Sequence, residues 1–290
     1  MEKVVEIEDE KYPELLKKIG SQAPKKLYYK GDWNNALFNN CLAVVGSRRL
    51  TNYGKRITEQ FVTEIAASGI TIVSGFMYGG DEAAHSSAVR AGGKTIAVMP
   101  CGIDLIHPAE QEELYNEILK NNGLIISEYE GKLLPVSWMY AKRNRIVAGL
   151  SKAILVVEAG LNSGTLITTG YAKKYNRKIF AVPGPITSEV SKGTIKLIKE
   201  GAEIATEAKD ILKFFKIEGL PMSHKNCATS EVARADSLEQ AIINQLKIEP
   251  MEADTIARTL GVSAAKIGTT LSLMQLKGII QQEENKYYII

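Results

Sequence analysis

The sequence predicts an α/β fold with a mostly parallel sheet, followed by a small C-terminal winged-helix domain. Short apolar runs rich in Val and Ile alternate with longer amphipathic runs through the middle of the chain, which is the pattern of repeated strand–helix–strand units. Three further amphipathic runs and a hairpin pattern follow residue 236, as in a winged helix. A chain of 290 residues is long enough for about two domains.

Six apolar runs predict the strands, because each is short and hydrophobic at consecutive positions, as strands buried on both faces of a parallel sheet are. They are Cys41–Val45, Ile70–Val73, Thr95–Met99, Leu124–Ser127, Ala153–Val157 and Lys178–Val182. Five amphipathic runs predict the helices of the same domain. They are Lys55–Ala67, Glu82–Ala91, Glu110–Asn121, Arg143–Leu150 and Leu166–Tyr175.

These elements divide the chain into four segments. Residues 1–38 lack the regular alternation of strand and helix patterns, and we expect them to pack on the core as an appended segment. Residues 39–215 form the α/β domain and residues 237–290 the winged helix. Residues 216–236 are rich in Gly, Pro, Ser and Asn without sustained periodicity, which predicts a linker.

The third helix of the tail, near residues 264–277, has one apolar face formed by Ile267, Leu271 and Met274. Residues 231–290 carry six Lys and Arg against eight Asp and Glu, and this presumed recognition helix has only Lys266 and Lys277. A winged helix that reads duplex DNA normally needs a basic face for the phosphates. We therefore expect the tail to contact protein rather than duplex DNA.

Composition excludes several classes of protein. With 45% hydrophobic and 24% charged residues, the chain is neither disordered throughout nor collagen-like. Its three cysteines are far apart and form no CxxC, which argues against a disulfide scaffold or a zinc site and indicates the cytoplasm. No run of about 18 apolar residues occurs and the start is acidic, so we expect neither a membrane span nor a signal peptide. The net charge of +3 is too small to indicate a class of binding partner.

Two loops at the carboxyl ends of the first strands carry candidate binding residues, since ligands of an open parallel sheet bind at that edge. Gly46, Ser47 and Arg48 precede a helix, where a glycine permits close backbone approach and an arginine suits a phosphate. Ser74 and Gly75 begin the second, glycine-bearing loop.

Asp81 and His85 follow that second loop, one helical turn apart. Such a pair could act in acid–base chemistry, but a capped helix with a hydrogen-bonded histidine is the simpler interpretation.

Aromatic residues and cations alternate after the fourth strand. Trp138 and Tyr140 come directly before Lys142, Arg143 and Arg145, a pattern that suits bases stacked on rings and phosphates held by cations. The alternative is that the aromatics belong to the core and the cations to a solvated face.

A turn of small and hydroxyl residues follows the fifth strand. Ser163, Gly164 and Thr165 open the next helix and can bind an anion through N–H and hydroxyl groups, although many helices begin this way merely as a cap. The loops together predict a phosphorylated ligand. No Walker A lysine and no nucleophile–base pair are evident, so we expect binding without turnover, no cofactor and no metal, with nucleic acid and a free nucleotide as alternative ligands.

Short stretches along nearly the whole α/β domain match one family pattern in order. They are Tyr12-Pro13 with Leu15-Leu16, Pro24 with Leu27-Tyr28 and Lys30-Gly31, Ala43–Arg48, Ser74-Gly75, Gly79 with Asp81–His85, Cys101–Asp104, Ser127-Glu128, Arg143–Ser151, Ser163–Thr165 and Pro183-Gly184. This series resembles the DprA/Smf family, the DNA-processing proteins of bacterial natural transformation. The tail is similar to the C-terminal module that some members carry.

The resemblance implies an extended Rossmann-like fold that binds single-stranded DNA and no catalytic residue. It also implies a homodimer that protects incoming DNA, loads RecA recombinase onto it and helps to displace single-strand-binding protein. By position, Arg48 and Lys142 correspond to the main phosphate contacts and Tyr140 to a residue that stacks on a base. The full set of candidate DNA-binding residues is Gly46, Ser47, Arg48, Ser74, Gly75, Tyr140, Lys142, Arg143, Asn144, Ser163, Gly164 and Thr165.

Two rival functions use the same features. A Rossmann-like nucleotide phosphoribohydrolase would explain the turn at Ser163–Thr165 near Glu158, although such enzymes have a double glycine and a following Glu that this chain lacks. A transcription factor that reads duplex DNA would explain the winged helix, and the acidic balance of the tail argues against it.

Overall fold

The computed structural model describes residues 3–217, 237–283 and 285–289. The chain divides into two compact units, residues 1–220 and residues 221–290. Most of the predicted linker lies outside the described residues, as do Cys227 and His224, so the linker stays a prediction. No helix within the described ranges is long and apolar enough to cross a membrane.

The first unit is built on one nine-stranded sheet. Its strands are β1 Val4–Glu6, β2 Lys26–Gly31, β3 Cys41–Val45, β4 Thr71–Ser74, β5 Thr95–Gly102, β6 Leu124–Tyr129, β7 Ala153–Val156, β8 Lys178–Ala181 and β9 Glu203–Ile204. They lie in the order β1-β2-β6-β5-β4-β3-β7-β8-β9. The seven strands from β6 to β9 pair in parallel, and β1 and β2 are antiparallel at one edge. The predicted mostly parallel, Rossmann-like sheet is confirmed.

Helices cover both faces of this sheet. They are α1 Glu14–Lys17, α2 Asn52–Ala67, α3 Gly80–Arg90, α4 Glu112–Lys120, α5 Ser137–Leu150, α6 Gly164–Lys174, α7 Lys192–Lys199 and α8 Ala208–Phe215. Strand β3 shows why both faces are buried: Leu42 and Val44 pack with α2, whereas Cys41, Ala43 and Val45 pack with α5 on the other side. Burial of both faces removes the alternation of polar and apolar residues, as the sequence pattern indicated.

The N-terminal segment does more than pack on the core. Strand β2 pairs with β6, with Tyr28 opposite Ser127, and β1 pairs with β2. The segment was expected as an appendage because strands of three and six residues, with half-exposed side chains, lack the long apolar signature of the central strands. The N-terminal segment is therefore part of the sheet, whose strands run from Val4 in β1 to Ile204 in β9.

The largest difference from the predicted helices concerns α5. It begins at Ser137, six residues before the predicted start at Arg143. Trp138 and Tyr140 are therefore helical residues and not part of a preceding loop. The polar and aromatic residues of its first turns hid the helical period, because that end of the helix does not face a purely apolar core.

The second unit has the predicted winged-helix elements. Its helices are α9 Ser237–Ile248, α10 Ala253–Leu260 and α11 Ala264–Leu276, and its strands are β10 Met251–Glu252, β11 Ile280–Glu283 and β12 Lys286–Ile289. The predicted apolar face of α11 is confirmed, since Ile267, Leu271 and Met274 are fully buried. Lys277 follows the last residue of α11, is half-exposed and forms an ion pair of 2.7 Å with Glu239, while Lys266 is the one cation within α11 itself. This arrangement agrees with the weakly basic recognition helix that the sequence indicated.

Candidate nucleic-acid interface

A cleft of about 830 Å³ opens at the carboxyl ends of the central strands. After β3 the chain adds β4, β5 and β6 on one side and then places β7 on the other side of β3, so the strand order reverses between β3 and β7. The loops that leave these two strands diverge to opposite faces, which creates a crevice. Both loops line the cleft, through Gly46 to Arg49 and through Gly160 to Thr165.

Backbone contacts join the loops around this cleft. The N–H of Gly80, at the start of α3, donates to the carbonyl of Ser47 over 3.0 Å. A Cβ on Gly80 would lie 2.7 Å from the Cα of Gly46, which is closer than real side chains approach. Only glycine therefore allows the loop after β4 to touch the loop after β3.

The start of α6 is joined to the same loop by hydroxyl groups. Ser163 caps the helix by accepting from the N–H of Thr165 over 3.2 Å. The hydroxyl of Thr165 donates to the carbonyl of Gly46 over 3.0 Å, and Thr165 is buried. The helix N-terminus thus points into the cleft with its hydroxyl groups in place, an arrangement that favours an anion.

Two residues of opposite charge, Arg143 and Asp81, lie at the floor of the cleft. Arg143 is 4% exposed, and its guanidinium donates to the carbonyl of Val98 and, through Nε, to Asn144 over 3.2 Å. Asp81 accepts from the hydroxyl of Ser74 over 3.0 Å and lies near Arg143. Burial raises the pKa of Asp81, and the attraction of Arg143 opposes that rise. Ser74 is fully buried and does not line the cleft.

His85 also lies beneath the cleft rather than in it. Its Nε2 donates to the carbonyl of Gly75 over 2.6 Å, and its Nδ1 lies 2.7 Å from the hydroxyl of Thr95. Burial lowers the pKa of His85 to about 4, so the ring is neutral at pH 7. The hydrogen-bonded interpretation of His85 is therefore correct. The expected cap is wrong, because Gly79 is the N-cap of α3 and Asp81 lies inside the first turn, where it accepts a hydrogen bond from Ser74.

Glu158, the carboxylate after β7, is engaged in the same way. Its two oxygens accept from Thr51, one from the N–H over 2.9 Å and the other from the hydroxyl over 2.5 Å. Glu158 is 3% exposed, and Thr51 caps the start of α2. This carboxylate holds the loop after β3 to strand β7, and its oxygens do not point into open solvent.

The exposed wall of the cleft combines a cation and an aromatic ring. The guanidinium of Arg48 lies 5.2 Å from the centroid of the Tyr140 ring. The hydroxyl of Tyr140 lies 2.7 Å from Nε2 of His107, which restricts the ring from its other end. Arg48 is exposed and Tyr140 half-buried. Both groups are therefore accessible to a ligand, one for a phosphate and one for a base.

The two faces of α5 explain where its cations lie. Tyr140 and Asn144, four residues apart, share the face that lines the cleft. Lys142 lies on the adjacent face, outside the cleft lining, and forms an ion pair of 3.2 Å with Glu128. Arg145 also pairs with Glu128, over 2.5 Å, and is 6% exposed. The basic cluster that is compact in sequence thus points in three directions, because consecutive helical residues lie about 100° apart.

The structure gathers ten of the twelve predicted site residues around the cleft. Lys142 and Ser74 do not line it, for the reasons given above. It also adds residues that the sequence motifs missed, and these are Arg49, Met77, Tyr78, Asn162, Thr168, Glu189 and Val190. Arg49 and Asn162 are next in sequence to predicted site residues, so this adjacency could have identified them as site residues. Glu189 and Val190 lie after β8 and carry no local motif.

The lining is suited to a chain of phosphates and bases rather than to catalysis. Its charged members within the described residues are Arg48, Arg49 and Arg143 against Asp81 and Glu189. The exposed cations stand at the rim, and the deeper charges are compensated by each other. Glycine-rich loops and the start of α6 supply N–H and hydroxyl donors around them.

Family models and curated relatives match the chain. The model described as DNA recombination-mediator protein A matches residues 3–216, and that described as the DprA winged helix domain matches residues 228–286. Protein Smf of Escherichia coli is 35% identical over 271 residues, which are 92% of this chain and 72% of that protein. DNA processing protein DprA of Streptococcus pneumoniae is 39% identical over 208 residues, 72% of each chain.

Solved structures agree with these matches. The X-ray structure of DNA processing protein A from Streptococcus pneumoniae has a TM-score of 0.69 and 38% identity over 73% of this chain and 74% of that one. DNA processing protein A from Helicobacter pylori, studied for its single-stranded DNA binding mode, has a TM-score of 0.66 and 32% identity over 74% and 96%. With its Rossmann-like unit, its winged helix and these relatives, the chain belongs to the DprA/Smf family of DNA recombination mediators.

Proposed function

We propose that this protein binds single-stranded DNA in the cleft, protects incoming DNA during natural transformation and loads RecA recombinase onto it. The observation that carries the proposal is the Arg48–Tyr140 pair at the wall of the cleft, beside the N-terminus of α6. The single-stranded DNA binding described for the Helicobacter pylori relative supports it. The protein would act in the cytoplasm as a homodimer, without a cofactor, and in interplay with single-strand-binding protein.

The geometry favours single strands over duplex DNA. A base can stack on Tyr140 only when it is free of its partner strand, whereas the phosphates of either form could reach Arg48. The cleft is also concave, and α5 and α6 form part of its lining instead of projecting from the surface as a helix that reads a major groove does. Preference for single strands is thus the property that separates this proposal from general phosphate binding.

A binding assay tests the proposal directly. Fluorescence anisotropy with labelled oligo-dT should show binding that weakens with salt, and a matched duplex should bind much more weakly. Arg48→Ala should reduce the affinity for all sequences alike, since phosphate contacts carry no sequence information. Arg90→Ala is the matched control. Arg90 is an exposed cation paired with Glu59, and it lies at the C-terminal end of α3, whereas the cleft lies at the N-terminal end of that helix. Equal binding of single strands and duplex, or binding of neither, contradicts the proposal.

The RecA step needs its own experiment. Oligo-dT coated with single-strand-binding protein should support RecA filament formation faster when this protein is added, and Arg48→Ala should abolish most of the gain. RecA-dependent ATP hydrolysis on the coated strand is the readout. A wild-type protein that binds the strand but leaves this rate unchanged contradicts RecA loading and leaves DNA binding intact.

The rival nucleotide-hydrolysing function makes a different prediction. It requires a carboxylate available to the ribose, but both oxygens of Glu158 accept hydrogen bonds from Thr51. We therefore expect no release of free base from AMP or CMP, as measured by chromatography of the reaction mixture. Release that disappears in Glu158→Gln would support the enzyme instead.

A further inference from the structure

A second stacking surface lies on α5 just outside the cleft. Trp138 is 58% exposed, and the T-shaped contact between its ring and that of Tyr129 has a centroid distance of 6.4 Å. The ammonium of Lys142 lies 5.5 Å from the centroids of both rings. The position of the indole is thus supported from two sides, while more than half of its surface remains open to solvent.

Lys142 in this cluster retains capacity for another anion. Glu128 is shared by two cations, and buried Arg145 already pairs with one of its oxygens over 2.5 Å. The side chain of Lys142 is 41% exposed, so exchanging its carboxylate partner for a phosphate costs little. One carboxylate against two cations leaves the cluster with a positive charge.

The cluster is continuous with the proposed DNA-binding cleft. Ser137, Tyr140 and Ala141 line the cleft on the same two helical turns that carry Trp138 and Lys142 on the adjacent face. Trp138 lies three residues before Ala141 on this helix, so a strand leaving the cleft past Ala141 meets Trp138 next. We infer that Trp138 and Lys142 form a second subsite for single-stranded DNA, in which a base stacks on the indole and its phosphate pairs with Lys142.

This inference rests on the proposed function, and it predicts a dependence on strand length. Oligo-dT of about 5 nucleotides occupies the cleft alone, whereas strands of about 15 or more also reach the second subsite. Trp138→Ala should weaken binding of the longer strands by about 5-fold or more and leave the shortest within about 2-fold. Lys142→Ala should follow the same pattern.

Leu134→Ala is the matched control. Leu134 is 70% exposed in the segment before α5, and its substitution removes neither an aromatic ring nor a charge. Its substitution should change the affinity for every length by less than about 2-fold. An equal loss for all lengths in Trp138→Ala, or no loss for any, would overturn the second subsite.

Intrinsic fluorescence gives a second measurement that does not depend on a loss of affinity. The chain has two tryptophans, and Trp33 packs between Tyr29 and Phe38 in the N-terminal segment. Long oligo-dT should quench the emission of the wild type and of Trp33→Phe, but not that of Trp138→Phe. If long strands bind and Trp138 emission is unchanged, the second subsite is refuted, whereas DNA binding in the cleft is not. If no strand binds the wild type, the proposed function itself fails.

Discussion

The guanidinium of Arg48 lies over the ring of Tyr140, 5.2 Å from its centroid, at the mouth of the cleft. The two residues come from different elements of the fold, because Arg48 lies in the loop after β3 and Tyr140 lies on α5. Their contact therefore forms only when the tertiary structure has formed. It orients a cation and an aromatic ring toward the same space.

The ring of Tyr140 should matter more than its hydroxyl. Tyr140→Leu removes the stacking surface, so we expect affinity for oligo-dT to fall by about 1–3 kcal/mol, or roughly 5- to 100-fold. Tyr140→Phe keeps the ring and the contact with Arg48 but loses the hydrogen bond to His107, and should bind within about 3-fold of wild type. Anisotropy titrations at fixed salt measure both. A larger loss of affinity in Tyr140→Phe than in Tyr140→Leu would mean that the hydroxyl, and not the ring, contacts the strand.

The shared carboxylate of Glu128 should be important for stability, whereas Lys142 should not. Glu128→Gln leaves Arg145 buried without its counter-charge, and we expect the free energy of unfolding to fall by about 2–4 kcal/mol. Lys142→Met removes an exposed pair and should cost less than about 1 kcal/mol. Urea unfolding followed by circular dichroism compares them. Equal losses in both variants would show that Arg145 does not depend on Glu128.

The close approach at Gly80 gives a steric prediction. A Cβ there meets the backbone of Gly46, so Gly80→Ala should push apart two loops of the cleft and weaken both stability and oligo-dT binding, the latter by about 10-fold. Gly170 in α6 is the matched control because nothing lies within 4 Å of a Cβ built on it. Gly170→Ala should stabilise the protein by about 0.5–1 kcal/mol and leave binding unchanged. Wild-type affinity in Gly80→Ala would contradict the proposed contact between the loops.

Burial of His85 makes stability depend on pH. Its pKa is about 4 in the folded protein against an ordinary value of 6.5, so the unfolded chain binds a proton in that interval and the folded chain does not. The stabilisation is fully present above pH 6.5 and is lost as the pH falls toward 4, by about 3 kcal/mol in all. Unfolding titrations of wild type and His85→Gln at several pH values isolate this contribution from that of Asp81, whose raised pKa acts with the opposite sign. A wild-type profile parallel to that of His85→Gln would refute it.

Much of the fold could be predicted because its signals are local. The bounds of β3 agree with the predicted Cys41–Val45, and the buried face of α11 agrees with Ile267, Leu271 and Met274. Periodicity predicts these features since burial on a strand or helix repeats with that element's own geometry. The N-terminal strands β1 and β2 were missed because both are short and carry partly exposed residues, so neither has such a signature.

The candidate site divides in the same way. The pattern of strands was enough to predict which loops meet, because strands that run parallel must end at one edge of the sheet, and Gly46, Arg48 and Thr165 line one cleft. The roles of three neighbouring residues of α5 follow from packing instead: Arg143 is buried at the floor of the cleft, Lys142 pairs with Glu128 outside it, and Asn144 lines it. Their directions depend on where the helix begins and on which elements pack against each of its faces. Neither is encoded in the spacing of the charges, since each helical residue turns about 100° from the last.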